Sequence, residues 1–173
     1  MLFRKTNAKT NLLMGTARGK DMHLPKKLVL TSGVGVSDTK LNSFDNALID
    51  GGIHDFNIVK VSSIGPKDAA IANLNALKDL KKGSILHCVL ARYTTKKEAT
   101  IASAVCLLET EGIGLITEYN GVCTEEYARK QALKMAETMN KKRKLKTKKT
   151  HFTSIEHKSE GGYSTVISAC TMV

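Results

Sequence analysis

Asn57-Ile58-Val59-Lys60-Val61-Ser62-Ser63-Ile64-Gly65-Pro66 is an apolar strand that runs into two adjacent hydroxyls and then into a glycine and a proline. The run from Phe56 to Val61 is mostly β-branched or aromatic, and Gly65 and Pro66 close it, so the pattern predicts a strand that stops at the serines. Ser62 and Ser63 stand where ordered backbone gives way to a turn, a place able to hold a reactive peptide under strain. Taken alone, the pair is either a reactive site or a strand end with hydrogen-bonding serines.

Before this stretch, Leu28-Val29-Leu30 marks a first strand over 26–31, and Ser32-Gly33-Val34-Gly35 is expected to turn the chain. Leu41, Phe44, Leu48 and Ile49 recur at helical spacing over 39–50, with Asp38 or Thr39 as the cap and Gly51-Gly52 at the end. Asp45, beside Phe44, is either a solvated helix residue or a carboxylate at the lip of a cavity. The chain returns as a strand over 53–61.

After Pro66, residues 67–80 have helical character. Strands are expected over 84–93 and 100–108, and again at Leu115-Ile116-Thr117-Glu118-Tyr119, where Asn120-Gly121 signals a turn. Thr124 followed by Glu125 and Glu126 starts a helix reaching about Asn140, since acids in the first turn meet the positive end of the helix dipole. Its apolar face carries Tyr127, Ala128, Gln131, Ala132, Met135 and Met139, and the methionines read as core filling. Two closing strands are expected over 150–157 and 162–172. This order points to a layered α+β domain of mostly antiparallel, hairpin-connected strands with two helices, rather than a βαβ repeat.

The 173 residues fit one domain, expected over 24–173 behind a loose basic arm over 1–23, and 42% hydrophobic against 25% charged residues is an ordinary globular balance. The apolar runs are too short to span a bilayer and the opening residues too short in apolar length for a signal peptide core, so a cytoplasmic protein with no membrane partner is expected. Cys88, Cys106, Cys123 and Cys170 are widely spaced and no Cys-x-x-Cys pair occurs, which argues against a zinc knuckle or a disulfide scaffold; no metal site is expected. The net charge of +11 is concentrated at Lys141-Lys142-Arg143-Lys144-Leu145-Lys146-Thr147-Lys148-Lys149. That run is either a solvated helix end and linker or a contact for a polyanion such as nucleic acid, without the interleaved aromatics of a stacking platform.

Several blocks together resemble the pyruvoyl-dependent arginine decarboxylase family: Ser32-Gly33, Leu41-Asn42-Ser43-Phe44-Asp45-Asn46-Ala47-Leu48, Gly52-Ile53, Asn57, Val61-Ser62-Ser63-Ile64 with Pro66, and Gly114-Leu115-Ile116-Thr117-Glu118-Tyr119. The likeness is dense over 30–66 and 113–136 and thinner elsewhere. It implies a four-layer αββα sandwich that assembles as a homotrimer, or a dimer of trimers, with sites at subunit contacts.

The resemblance also implies a chemistry for the serine pair. Ser63 Oγ attacks the Ser62 carbonyl and converts the peptide bond to an ester; elimination frees Ser62 as a carboxylate, and the remaining dehydroalanine hydrolyses to a pyruvoyl group and ammonia. The products are chains 1–62 and 63–173. Adjacent residues make the attack intramolecular, and Asn57 resembles the residue that holds the scissile carbonyl or its oxyanion. The covalent pyruvoyl group, made from Ser63 without pyridoxal phosphate or metal, then forms a Schiff base with L-arginine and accepts electrons as carbon dioxide leaves.

Glu118 resembles the group that protonates the product carbon. Asp45 resembles the anion for the guanidinium, whose fork favours a carboxylate, and Leu41, Leu48 and Ile64 resemble the walls around the substrate. Two stretches depart from the family pattern. Gly65 replaces a larger apolar residue, a change expected to enlarge the pocket or loosen the loop, and His87-Cys88-Val89-Leu90-Ala91-Arg92 replaces small and aromatic residues. The alternatives are a pyruvoyl enzyme for another amino acid and a non-catalytic basic nucleic-acid-binding domain.

Overall fold

Strand β1 (Lys27–Ser37) runs straight through Ser32-Gly33-Val34-Gly35 instead of turning there. The glycines serve a different purpose. A Cβ on Gly33 would strike the Ala47 carbonyl and come within 2.6 Å of the Gly51 nitrogen, and one on Gly35 would strike the Ser43 carbonyl and the Ala47 nitrogen. They are bare so that a helix can lie directly on the strand. That helix is α1 (Lys40–Asp50), capped by Thr39, whose side chain accepts from the Asn42 N–H.

The close approach decides which face of α1 is buried. Ser43, Ala47 and Leu48 face inward, while Leu41 is 74% exposed and Ile49 half exposed, against the expectation that all the large apolar residues point to the core. Ser43 Oγ meets Thr165 Oγ1 at 2.8 Å in the buried seam. Asn46 donates to the Val36 carbonyl at 2.9 Å, and Asp50 Oδ2 accepts from the Val34 N–H at 2.8 Å, so the helix also satisfies backbone groups of β1.

The computed structural model describes residues 24–173, and the arm expected over 1–23 lies outside them. The remaining elements are β2 (Asn57–Lys60), β3 (Ile64–Gly65), β4 (Ala70–Ala72), a 3₁₀ turn (Leu74–Leu77), β5 (Ile85–Thr95), β6 (Ala99–Thr110), β7 (Gly114–Val122), α2 (Glu125–Arg143), β8 (Thr147–Ser159) and β9 (Tyr163–Met172). The fold is a mixed α/β arrangement of two helices and two sheets, one ordered β2-β5-β9-β1-β4 and the other β3-β7-β6-β8.

Most strand pairs are antiparallel, but β1–β4 and β2–β5 are parallel. The expected hairpin connections are mostly absent: among consecutive strands only β6 and β7 pair. The short links after β5 and after β8 instead carry the chain from one sheet to the other. Residues 67–80, read as helical, form β4 and the 3₁₀ turn. The turn expected at Asn120-Gly121 is absent as well, because both residues pair with β6, opposite Ser103 and Ala102.

Alternation along the strands builds three apolar clusters. Val29, Leu86, Leu90 and Ile167 pack with Ala47 and Leu48 of α1. On the opposite face of the same sheet, Leu28, Val89, Ala91 and Cys170 meet Val105, Leu107 and Ile116 of the second sheet. On that sheet's outer side, Ala104, Cys106 and Leu115 pack against Ala128, Ala132 and Ala136 of α2. Three of the four cysteines are buried in these clusters, as their apolar neighbours suggest. Among the described residues no helix is long and apolar enough to cross a membrane.

Candidate active site

The site is shaped by the brevity of β3. Ile64 and Gly65 pair with Leu115 and Gly114, and the Ile116 N–H donates to the Ser63 carbonyl at 2.8 Å. Beyond that bond β7 has no strand on this edge, so a cleft of about 590 Å³ opens between the edge and α2. Ser63 lines it together with Thr117 and Glu118 of β7 and Gln131, Lys134, Met135, Thr138 and Met139 of α2.

Alternation places Thr117 and Glu118 on opposite faces of β7. Thr117 Oγ1 donates to the Ala132 carbonyl at 2.6 Å and so ties the strand to α2. Glu118 shares the face of Ile116, which is packed between the sheets. Its Oε1 accepts from Lys60 Nζ of β2 at 2.8 Å, and its Oε2 is buried without a partner. Glu118 thus brings a carboxyl group to the wall of the cleft that Ser63 also lines.

Burial, then Cys170 and then Glu118 push the nearby Cys88 thiol up, so it stays protonated and is no nucleophile at neutral pH. Among the described residues no three His, Cys, Asp or Glu side chains gather as a metal site.

The residues singled out from the sequence fall into two groups. Ser63 and Glu118 share the cleft, and Ser62, exposed, precedes it. The others lie elsewhere in the chain. Asn57 stands at the far end of β2, where its Nδ2 donates to the Gly83 carbonyl at 2.7 Å and not to Ser62. Asp45 and Leu41 lie on the exposed side of α1, Leu48 is 8% exposed in the α1 cluster, and Ile64 sits exposed on β3. Since α1 covers the face of the first sheet turned away from the second, Asp45 and Glu118 of one chain lie on opposite sides of that sheet.

Two expectations are corrected. Gly65 does not widen the cleft: a Cβ there would meet Leu28 Cδ1 at 3.2 Å and Ile116 Cδ1 at 3.4 Å, so it faces the interior between the sheets. Met135, read as core filling, lines the cleft instead because alanines occupy the buried face of α2, while Met139 lines the cleft and also packs against the apolar cluster beneath the helix, in keeping with that reading. The spacing of Gln131, Lys134, Met135 and Thr138 is itself a helical stripe beside Ala128, Ala132 and Ala136, a signal present in the sequence. From the divergent segment 87–92, the Arg92 guanidinium lies 3.8 Å from the centre of the Phe44 ring, next to Asp45.

Strain at the serines takes no left-handed form. Among the described residues the non-glycine positions with positive φ are Asp68 and Lys144, so φ is not positive at Ser62 or Ser63. The Ser63 peptide is held by its bond to Ile116 and, on the other side, by the Val61 N–H donating to the Cys88 carbonyl at 3.0 Å.

A family model described as pyruvoyl-dependent arginine decarboxylase matches residues 27–173. The chain belongs to this family. The pyruvoyl-dependent arginine decarboxylase of Methanothermobacter thermautotrophicus is 36% identical over 129 residues, covering 73% of this chain and 83% of that protein. Pyruvoyl-dependent arginine decarboxylase 1 of Methanosarcina acetivorans is 36% identical over 160 residues, covering 87% and 96%. The Thermococcus sibiricus protein of the family is 41% identical over 128 residues, covering 72% and 80%.

The family's covalent pyruvoyl group fits the residues present here. Ser63 supplies the hydroxyl and lies in the cleft wall, its carbonyl is held, and Glu118 lines the same cleft.

Proposed function

We propose that the chain cuts itself between Ser62 and Ser63 into chains 1–62 and 63–173, and that the processed protein converts L-arginine to agmatine and carbon dioxide. The observation that carries this reading is the presence of Ser63 and Glu118 in one cleft, with the Ser63 carbonyl held by the Ile116 N–H. The pyruvoyl group formed from Ser63 supplies an electrophilic ketone that takes up the substrate amine and accepts electrons as the carboxyl group departs.

The chain's own residues do the rest. The Ile116 N–H donates to the oxygen on which negative charge collects, a fixed donor that needs no reorganisation during the reaction. Glu118 delivers the proton to the carbon that has lost carbon dioxide. Thr117 fixes β7 to α2, and Met135 and Met139 form an apolar wall that keeps water from the reacting carbon.

Asp45 takes the substrate guanidinium, and it must come from a second copy, because in one chain the first sheet separates it from Glu118. This supports stacking of the layers as a four-layer αββα sandwich and assembly into a homotrimer, or a dimer of trimers, with sites at subunit contacts. Leu41, Ile49, Ile64 and Ile85, all exposed in the single chain, are the apolar surface such contacts would cover. Asn57 and Leu48 act in this reading by shaping β2 and α1.

Mass spectrometry of the purified chain together with an agmatine assay tests the proposal. Two masses and a blocked terminus at position 63 are expected. Ser63→Ala should stay one chain and lose all turnover. An uncut wild-type chain that still makes agmatine would refute the pyruvoyl route, and faster turnover of lysine than of arginine would overturn the substrate.

A further inference from the structure

Lys60 of β2 joins the two sheets through Glu118 of β7, a residue of the cleft wall. Its Nζ lies 2.8 Å from Glu118 Oε1, and the side chains are 57% and 31% exposed. An ion pair so open to water adds little to stability. Its position is the informative feature.

Lys60 is three residues before Ser63, and Glu118 is two residues after Ile116, whose N–H holds the Ser63 carbonyl. Lys60, the Ser62–Ser63 peptide, Ile116 and Glu118 therefore form a closed ring, with the serine peptide on one side and the ion pair on the other. The strand carrying Lys60 is fixed in turn by the Val61 N–H on the Cys88 carbonyl.

Within this ring the two carboxylate oxygens of Glu118 are not equivalent. Oε1 is committed to Lys60, and Oε2 is buried and unpartnered. Without the ammonium the carboxyl group is free to rotate about its stem. The other charged side chain lining the cleft, Lys134, belongs to α2; the neighbouring Cys88 thiol is kept neutral by burial.

We propose that Lys60 is a positioning residue for the decarboxylation: by holding Oε1 it fixes the rotation and reach of the Glu118 carboxyl group that serves the reacting carbon. This rests on the reading of Glu118 as the proton donor. The role needs a cation of suitable reach, so arginine should replace lysine and methionine, of similar length but uncharged, should not.

The test compares the wild-type chain with Lys60→Met and Lys60→Arg, each expressed at full length. Mass spectrometry first gives the fraction of cut chains, and turnover is expressed per cut chain. Lys60→Met should lower kcat by about tenfold to a hundredfold, a range expected for a misplaced catalytic group, with a smaller change in KM. Lys60→Arg should restore kcat.

Unchanged kcat in Lys60→Met would overturn the role of Lys60 and leave the decarboxylase reading intact. A fall in kcat that Lys60→Arg fails to restore would also overturn it, reducing Lys60 to a structural tie. Absence of cutting and turnover in the wild-type chain would instead remove the decarboxylase reading, and this inference with it.

Discussion

The two helices bury small residues against their sheets by opposite means. Under α1 the room comes from the sheet, whose Gly33 and Gly35 have no side chains to hold the helix away. Under α2 it comes from the helix, which presents Ala128, Ala132 and Ala136 to a strand surface with ordinary side chains. Leu48 stays in the core, and several other large side chains are displaced to the flanks. On α1 these are Leu41, Asp45 and Ile49, on the surface turned to other copies in the proposed assembly; on α2 they are Met135 and Met139, which line the cleft. Close packing of a helix here releases its large residues for function.

The largest effect is expected where neither side can yield. Gly35→Ala places a Cβ against backbone atoms of Ser43 and Ala47, so the helix itself must move. A loss of about 3 kcal/mol or more in urea unfolding is expected, at the upper end for overpacking. A midpoint equal to that of the wild type would show that α1 does not lie on β1 as closely as described.

On α2 the contrast lies between neighbouring positions. Ala132→Leu forces a large side chain against the sheet and should cost about 1–3 kcal/mol, whereas Met135→Ala, at a position 39% exposed, should cost under about 1 kcal/mol. Turnover should respond in the opposite order per unit of stability lost, with Met135→Ala lowering it although the fold is intact. If the methionine change proved the more destabilising, the division of α2 into a packing face and a cleft face would fail.

The smallest effect concerns the thiols beneath the helices. Burial pushes Cys106, under α2, and Cys170, between the sheets, from the ordinary 9.0 up to about 12. The folded chain then retains protons that the unfolded chain releases. This contribution to stability is complete below about pH 9 and is lost as pH rises towards 12. Urea midpoints measured across that window should fall, and Cys170→Ala should flatten the fall. In the native protein at pH 9, iodoacetamide should label the half-buried Cys123 first; faster labelling of Cys106 would mean that α2 opens far more readily than its packing suggests.

Much of this was legible in the residues. Both helix caps, Thr39 and Thr124, follow from local chemistry, and the long strands β5, β6 and β9 follow from their apolar composition. The misreadings share a cause. Glycine reads as a turn signal in β1 and again at Gly121, where the decisive neighbours, α1 and β6, are distant in sequence. Hydrophobic spacing assumed that the largest residues face inward, which the glycine and alanine seams overrule. The links after β5 and β8 resemble hairpins in sequence, since sheet membership is set by partners that local pattern does not name.

Within the site, Ser63 and Glu118 stood out through family resemblance. Lys60 did not, because a lysine in a strand shows its partner only when the second sheet is in place.

The strand order of the first sheet bears on what a cut at Ser62 would leave behind. Residues before the cut supply β1 and β2, and these are kept apart by β5 and β9, which come after it. The two pieces would therefore be interlaced, and neither could depart without unzipping hydrogen-bonded ladders on several edges. Such a protein would stay together as if uncut, yet once unfolded its recovery would depend on two chains meeting, and so on concentration.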